Sequence, residues 1–162
     1  RIRGRKAIKG AGSHNLPDGE IFTAPLEASA EGKISFDFPG IYRGVEVQGV
    51  KMRFSKGRVI EAKASKNEKF LLQMIKTDEG ARRIGEFGIG MNYNIKRFSK
   101  DILFDEKIGG TIHIALGKSY PECGGKNQSA IHWDLIMDLR KGGEIILDGK
   151  CIQRNGKFRQ GA

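Results

Sequence analysis

Two histidines lie inside apolar, β-rich runs. His113 sits in Thr111-Ile112-His113-Ile114-Ala115-Leu116-Gly117, and His132 in Ile131-His132-Trp133-Asp134. A neutral imidazole carried on a strand is a rigid one-atom ligand. Asp134 follows His132 by two residues, so on a strand both side chains share a face. One strand then offers a nitrogen and a carboxylate oxygen to a single point. The same pattern also describes a core histidine followed by a turn-forming aspartate, and both readings stay open on this stretch alone.

Acids that could join these imidazoles come from distant places. Glu20 is delivered by the turn Leu16-Pro17-Asp18-Gly19 at the start of an apolar run, where it also reads as an exposed strand-start glutamate with Asp18 as a turn cap. Glu86 stands among glycines 85, 88 and 90. Those glycines leave a strand face bare and permit close backbone approach. A carboxylate beside them is either solvated or committed to a cation. Asp105 and Glu106 precede Gly109-Gly110 and also fit an ordinary acidic surface. Together Glu20, Glu86, Glu106, His113, His132 and Asp134 form a set suited to two divalent ions about 3.5–4 Å apart. Oxygen-rich ligation with one imidazole per ion suits Zn, Co or Mn. No cysteine knuckle, phosphate loop or Ser-His-Asp signature competes with that set.

The elements that must position these residues are mostly strands. Residues 1–9 alternate weakly, as an edge strand does, and residues 10–19 are a turn-rich loop that includes His14. Strict alternation marks Gly32 to Phe38, and a second alternating stretch runs from Gly44 to Phe54. Ser55-Lys56-Gly57-Arg58 turns the chain into a hairpin with Val59 to Ala64. From Asn67 to Thr77 the period changes: Phe70, Leu71, Met74 and Ile75 fall at helical spacing, with Gly80 near the end. Ser119 to Ser129 joins the two histidine strands as a loop long enough to serve an active site. Asp148-Gly149 and Asn155-Gly156 are two-residue turn signals and predict two small hairpins at the end. This pattern predicts one α+β domain over residues 1–162, with a strongly curved, largely antiparallel sheet and one main helix.

Bulk properties restrict the function classes. The 162 residues suffice for one sizeable core, and no apolar run approaches membrane-spanning length. The opening Arg1-Ile2-Arg3-Gly4-Arg5-Lys6 has neither an initiator methionine nor a following apolar stretch. It reads as a fragment or processed product without a signal peptide. Two cysteines without metal-knuckle spacing favour a reducing, cytoplasmic compartment. The net charge of +10 raises a basic nucleic-acid-binding module as an alternative. However, the basic residues are dispersed and lack interleaved aromatics, which favours a solvated surface over specific nucleic-acid binding.

His14-Asn15-Leu16-Pro17-Asp18-Gly19-Glu20, Gly85-Glu86, Phe104-Asp105-Glu106, His113-Ile114-Ala115-Leu116-Gly117, Tyr120-Pro121-Glu122 and His132-Trp133-Asp134 together resemble the aminopeptidase T family of metallo-exopeptidases. The segments occur in family order and cover nearly the whole chain. The resemblance implies that Glu20, Glu86, Glu106, His113, His132 and Asp134 ligate two divalent metal ions, with Tyr120 as the active-site tyrosine. It implies that Glu86 bridges the ions or helps take the proton of the attacking water. Peptides are the implied substrates, and a homodimer is an assembly the resemblance allows. The family carries a further N-terminal domain that is expected to be missing here, so a metal-binding fragment without turnover is the other alternative.

Overall fold

In a computed structural model, which describes residues 1–12 and 15–160, alternation becomes strand over much of the chain. His14, expected in the approach loop, lies outside the described residues. Strand β1 (Ile8–Gly10) pairs antiparallel with β2 (Glu20–Thr23) at one edge of the main sheet. Next come β3 (Gly32–Ser35), β4 (Gly40–Tyr42) and β5 (Val45–Val47). The stretch from Gly44 to Phe54, expected to be continuous, is broken. Gly49 takes φ +62, which turns the chain out of the extended region before β6 (Lys51–Ser55). The hairpin from β6 to β7 (Arg58–Lys63) forms as expected, with Lys56 and Gly57 at φ 48 and 77 in its tight turn.

The main helix α1 (Glu68–Met74) is shorter than its apolar period suggests, because Asn67 starts it from φ 58 and the chain continues from Ile75 in turns. It buries Leu71 and Met74. Gly80 does not end α1; it opens a 3₁₀ turn, Gly80–Arg82. Strand β8 (Ile84–Gly90) follows, then the one-turn helix α2 (Ile102–Asp105), β9 (Thr111–Gly117) and β10 (His132–Asp138). The last hairpins are β11 (Glu144–Leu147), β12 (Lys150–Arg154) and β13 (Lys157–Phe158). Asp148-Gly149 and Asn155-Gly156 turn them with positive φ at all four residues.

The main sheet has the order β1-β2-β8-β9-β10, and every neighbouring pair is antiparallel. The class is therefore the expected one: a sheet-rich α+β fold with few helices. No helix among the described residues is long and apolar enough to cross a membrane.

One face of the main sheet is core. Ile114, Leu116, Trp133 and Leu135 pack there with Val47, Val50, Phe54 and Leu71. A bulge makes this possible. Ile84 pairs with Leu116 but Glu86 pairs with Ala115, so Gly85 is the extra residue. A side chain at Gly85 would strike the Gly117 and Lys118 carbonyls. The bulge lets Ile84 face the core while Glu86, of the same parity, faces away.

Candidate metal centre

The opposite face of the main sheet carries the chemistry. Residues directly opposite on paired strands share a face. Phe22 stands opposite Gly88, and Gly88 opposite His113. In the next row Glu86 stands opposite Ala115, and Ala115 opposite Asp134. His132 stands opposite Gly117, and Glu20 opposite Gly90. Small residues thus alternate with ligand-type side chains. Gly88 is the seat of His113: a Cβ there would lie 2.0 Å from His113 Nε2.

Glu20, Glu86, Glu106, His113 and Asp134 are buried, and His132 is half-buried. His113 Nε2 lies 3.3 Å from Glu20 Oε2 and 3.5 Å from Glu86 Oε1. His132 Nε2 lies 3.2 Å from Glu86 Oε2 and 3.5 Å from Asp134 Oδ2. Glu86 therefore presents one oxygen to each imidazole. His132 Nδ1 donates to the Lys118 carbonyl at 2.8 Å, which points Nε2 at the acids. Read alone, Glu20 fitted an exposed strand start, Glu86 a solvated acid and Glu106 a surface acid. All three are buried because the strands and α2 close around them.

Glu106 arrives by a separate route. Asp101 caps α2 by accepting from Leu103 N at 3.1 Å, and Glu106 follows the last helical residue. Asp105 is buried too, where it accepts from Ser99 N at 2.7 Å. Lys107 was not among the sequence candidates. Its side chain is wholly buried; Nζ lies 3.1 Å from Glu20 Oε1 and also contacts Glu106 Oε1. Nothing in the spacing around Lys107 separates it from the surface lysines. Only the fact that Glu20 and Glu106 meet there reveals it.

The electrostatics follow from crowding. Burial and the neighbouring acids raise Glu20, although His113 and Lys107 oppose the rise. Burial pushes Asp134 up to about 7. Burial also disfavours the charge on Glu86, but hydrogen bonds from His113 and His132 outweigh it and hold the carboxyl down at about 2. Both imidazoles are lifted to about 9, against burial, by hydrogen bonding to Glu86 and the field of the other acids. Tyr120 is raised by burial and by the same carboxylates, so its phenol keeps its proton. Its ring packs 5.1 Å from His132 and 5.5 Å from Phe22.

Three combinations bring ligand atoms within 4.8 Å of one another: Glu20–Glu86–His113, Glu86–His132–Asp134 and Glu106–His113–Asp134. Among the described residues, Glu20 Oε2, His113 Nδ1 and Asp134 Oδ1 are buried without a hydrogen-bond partner. Buried polar atoms are normally satisfied. The orphaned carboxylate oxygens of Glu20 and Asp134, among converging acids and imidazoles, fit divalent cations. A cleft of about 440 Å³ opens over the centre, with Glu20, Glu86, Glu106, Tyr120, His132 and Asp134 in its lining. Ile8, Phe22, Ile102 and Leu103 add apolar surface to it. Another groove, of about 380 Å³, is bordered by the core-face residues Phe54, Ile84, Phe87 and Ile114; no imidazole of the described residues lines it.

Comparison with known proteins gives the family. The model of a family described as thermophilic metalloprotease (M29) matches residues 3–158. Aminopeptidase T of Thermus thermophilus is 36% identical over 151 residues, covering 83% of this chain and 36% of its own length. Aminopeptidase AmpS of Bacillus subtilis is 30% identical over 166 residues, covering 89% of this chain and 40% of its own length. The solved structure of wild-type AmpT from Thermus thermophilus superposes with a TM-score of 0.73 at 30% identity, over 95% of this chain and 44% of that one. The fold is shared with a 2,5-dihydroxypyridine dioxygenase from Pseudomonas putida, at a TM-score of 0.67 and 22% identity. Function must therefore be argued from the site. The chain spans 36% and 40% of the lengths of these two curated relatives.

Proposed function

The chain belongs to the thermophilic metalloprotease (M29) family, that of aminopeptidase T, and from that premise we propose that it is the catalytic portion of a metal-dependent aminopeptidase. The observation that carries the proposal is the convergence of Glu20, Glu86, Glu106, His113, His132 and Asp134, with all but the buried His113 lining one cleft. In this reading residues 1–162 form one catalytic domain, and the six side chains hold two divalent ions drawn from zinc, cobalt and manganese. Bound there, such ions supply Lewis acidity and lower the pKa of water towards neutrality.

The remaining work falls to the chain's own groups. Of the two roles expected for Glu86, the geometry favours the bridge. The carboxyl is ionised throughout the physiological range and points one oxygen towards each histidine. Tyr120 keeps its proton and stands beside His132, so it can donate to the oxyanion that develops on a scissile carbonyl. The apolar surface of Ile8, Phe22, Ile102 and Leu103 gives the substrate's terminal side chain a seat and limits water at the centre.

The test combines metal analysis with hydrolysis of an amino-acid p-nitroanilide. The chain should carry divalent metal, lose hydrolysis with a chelator, regain it with Co²⁺, Zn²⁺ or Mn²⁺, and leave the N-acetylated substrate uncut. A folded chain that takes up no metal, or whose hydrolysis ignores the chelator, refutes the proposal.

A further inference from the structure

We propose that Lys107 is a positioning residue of the metal centre, holding Glu20 and Glu106 for the ion on the His113 side and leaving the ion on the His132 side alone. The inference rests on the metal-centre reading above. Lysine is almost never fully buried unless it is paired, and the Lys107 side chain has no exposed surface. Its partners are two of the proposed ligands, Glu20 at 3.1 Å and Glu106 in direct contact. The division of oxygens matters. Glu20 gives Oε1 to Lys107 and keeps Oε2 towards His113 at 3.3 Å. Glu20 Oε2 has no hydrogen-bond partner among the described residues. The ammonium thus fixes the carboxylate by one oxygen and leaves the other for a cation.

The contacts are one-sided. Glu20–Glu86–His113 and Glu106–His113–Asp134 each contain a carboxylate held by Lys107. Glu86–His132–Asp134 contains none. Lys107 also limits charge. Its ammonium sets one positive charge directly against Glu20 and Glu106. Hydrogen-bond partners of ligating carboxylates orient them, and their loss typically weakens metal binding by about 10–100-fold.

The experiment is a Co²⁺ titration of the full chain and of K107M, followed by visible absorption and by metal content after desalting. The unchanged chain should take two Co²⁺. K107M should keep one ion at an affinity within about twofold and bind the other about 10–100-fold more weakly. K107Q, neutral but still a hydrogen-bond donor, is titrated alongside and replaces K107M if circular dichroism shows K107M unfolded. A buried lysine with only a structural role would leave both affinities unchanged, or weaken both equally in a folded chain, and either result overturns the proposal. If the unchanged chain binds no Co²⁺, the metal-centre reading fails and this inference falls with it. If the unchanged chain binds two and the variants match it, only the role of Lys107 falls.

Discussion

Gly88→Ala tests the seat of His113 with a single methyl group. Gly88 is extended within β8 and has no positive φ, so alanine suits the backbone there. The obstacle is the imidazole: the added Cβ would lie 2.0 Å from His113 Nε2 and 2.1 Å from Cε1. Unstrained contact needs about 3.5 Å, so ring or strand must shift by about 1.5 Å. His113 is wholly buried, with Gly88 and Ile136 opposite it on the neighbouring strands, and has little room to yield. Overpacking of this kind costs about 1–3 kcal/mol. At about 2–4 °C per kcal/mol for a chain of this size, the metal-free Tm should fall by about 2–12 °C. A shift of that size also withdraws Nε2 from Glu20 and Glu86, so affinity for the ion on the His113 side should fall about 10–100-fold. Gly90→Ala is the comparison. Its Cβ would meet the Ile108 carbonyl at 2.1 Å, and no imidazole atom is among its nearest neighbours. It should lower Tm with a smaller loss of metal affinity. Thermal melts by circular dichroism and Co²⁺ titrations read both quantities. If Gly88→Ala matches the unchanged chain in both, the close packing of His113 on β8 is wrong.

Acid–base linkage yields a second expectation. His113 and His132 are raised from 6.5 to about 9 in the metal-free fold. Their stabilising contribution is complete below pH 6.5 and is lost as pH rises through 9. Asp134, raised to about 7, adds a loss of stability between about pH 4 and 7. The metal-free Tm should therefore fall from mildly acidic pH towards pH 9, whereas metal affinity should climb as the imidazoles give up their protons. Titration calorimetry in buffers of different ionisation enthalpy should detect that proton release, and pH-independent binding would contradict it. Tyr120→Phe should leave metal content unchanged and lower kcat about 10²–10³-fold, the scale of one lost oxyanion donor; an unchanged kcat removes Tyr120 from the chemistry. His132→Ala should weaken metal binding far more than His14→Ala, and equal losses in parallel titrations would argue against His132 as a ligand.

Much of the fold was legible in the sequence because its signals are local. Two-residue turns at Lys56-Gly57, Asp148-Gly149 and Asn155-Gly156 need only their own φ values, and each formed its hairpin. The helix was read from the spacing of Phe70, Leu71, Met74 and Ile75. Its end was not: α1 stops at Met74, and Gly80, the expected end, instead packs against the Gln128 carbonyl, a contact nothing nearby in the chain announces. Gly44 to Phe54 read as one strand because apolar residues alternate on both sides of Gly49, but their parity changes from Val45 and Val47 to Met52 and Phe54, where the chain breaks.

The candidate ligands could be named from residue type, from His132 and Asp134 on one strand, and from family resemblance. Only tertiary structure decided that they meet. Strand parity assigns Ile84 and Glu86 to one face, and the bulge at Gly85 separates them. Antiparallel register brings Glu20, Glu86 and His113 to neighbouring sites through β2, β8 and β9, although residues 20 and 113 are far apart along the chain. Lys107 shows the limit most plainly: a lysine between an acid and an isoleucine has no local mark of burial. Its role arises where Glu20 and Glu106 meet, because a buried ammonium is stable only where the fold supplies the opposing charge.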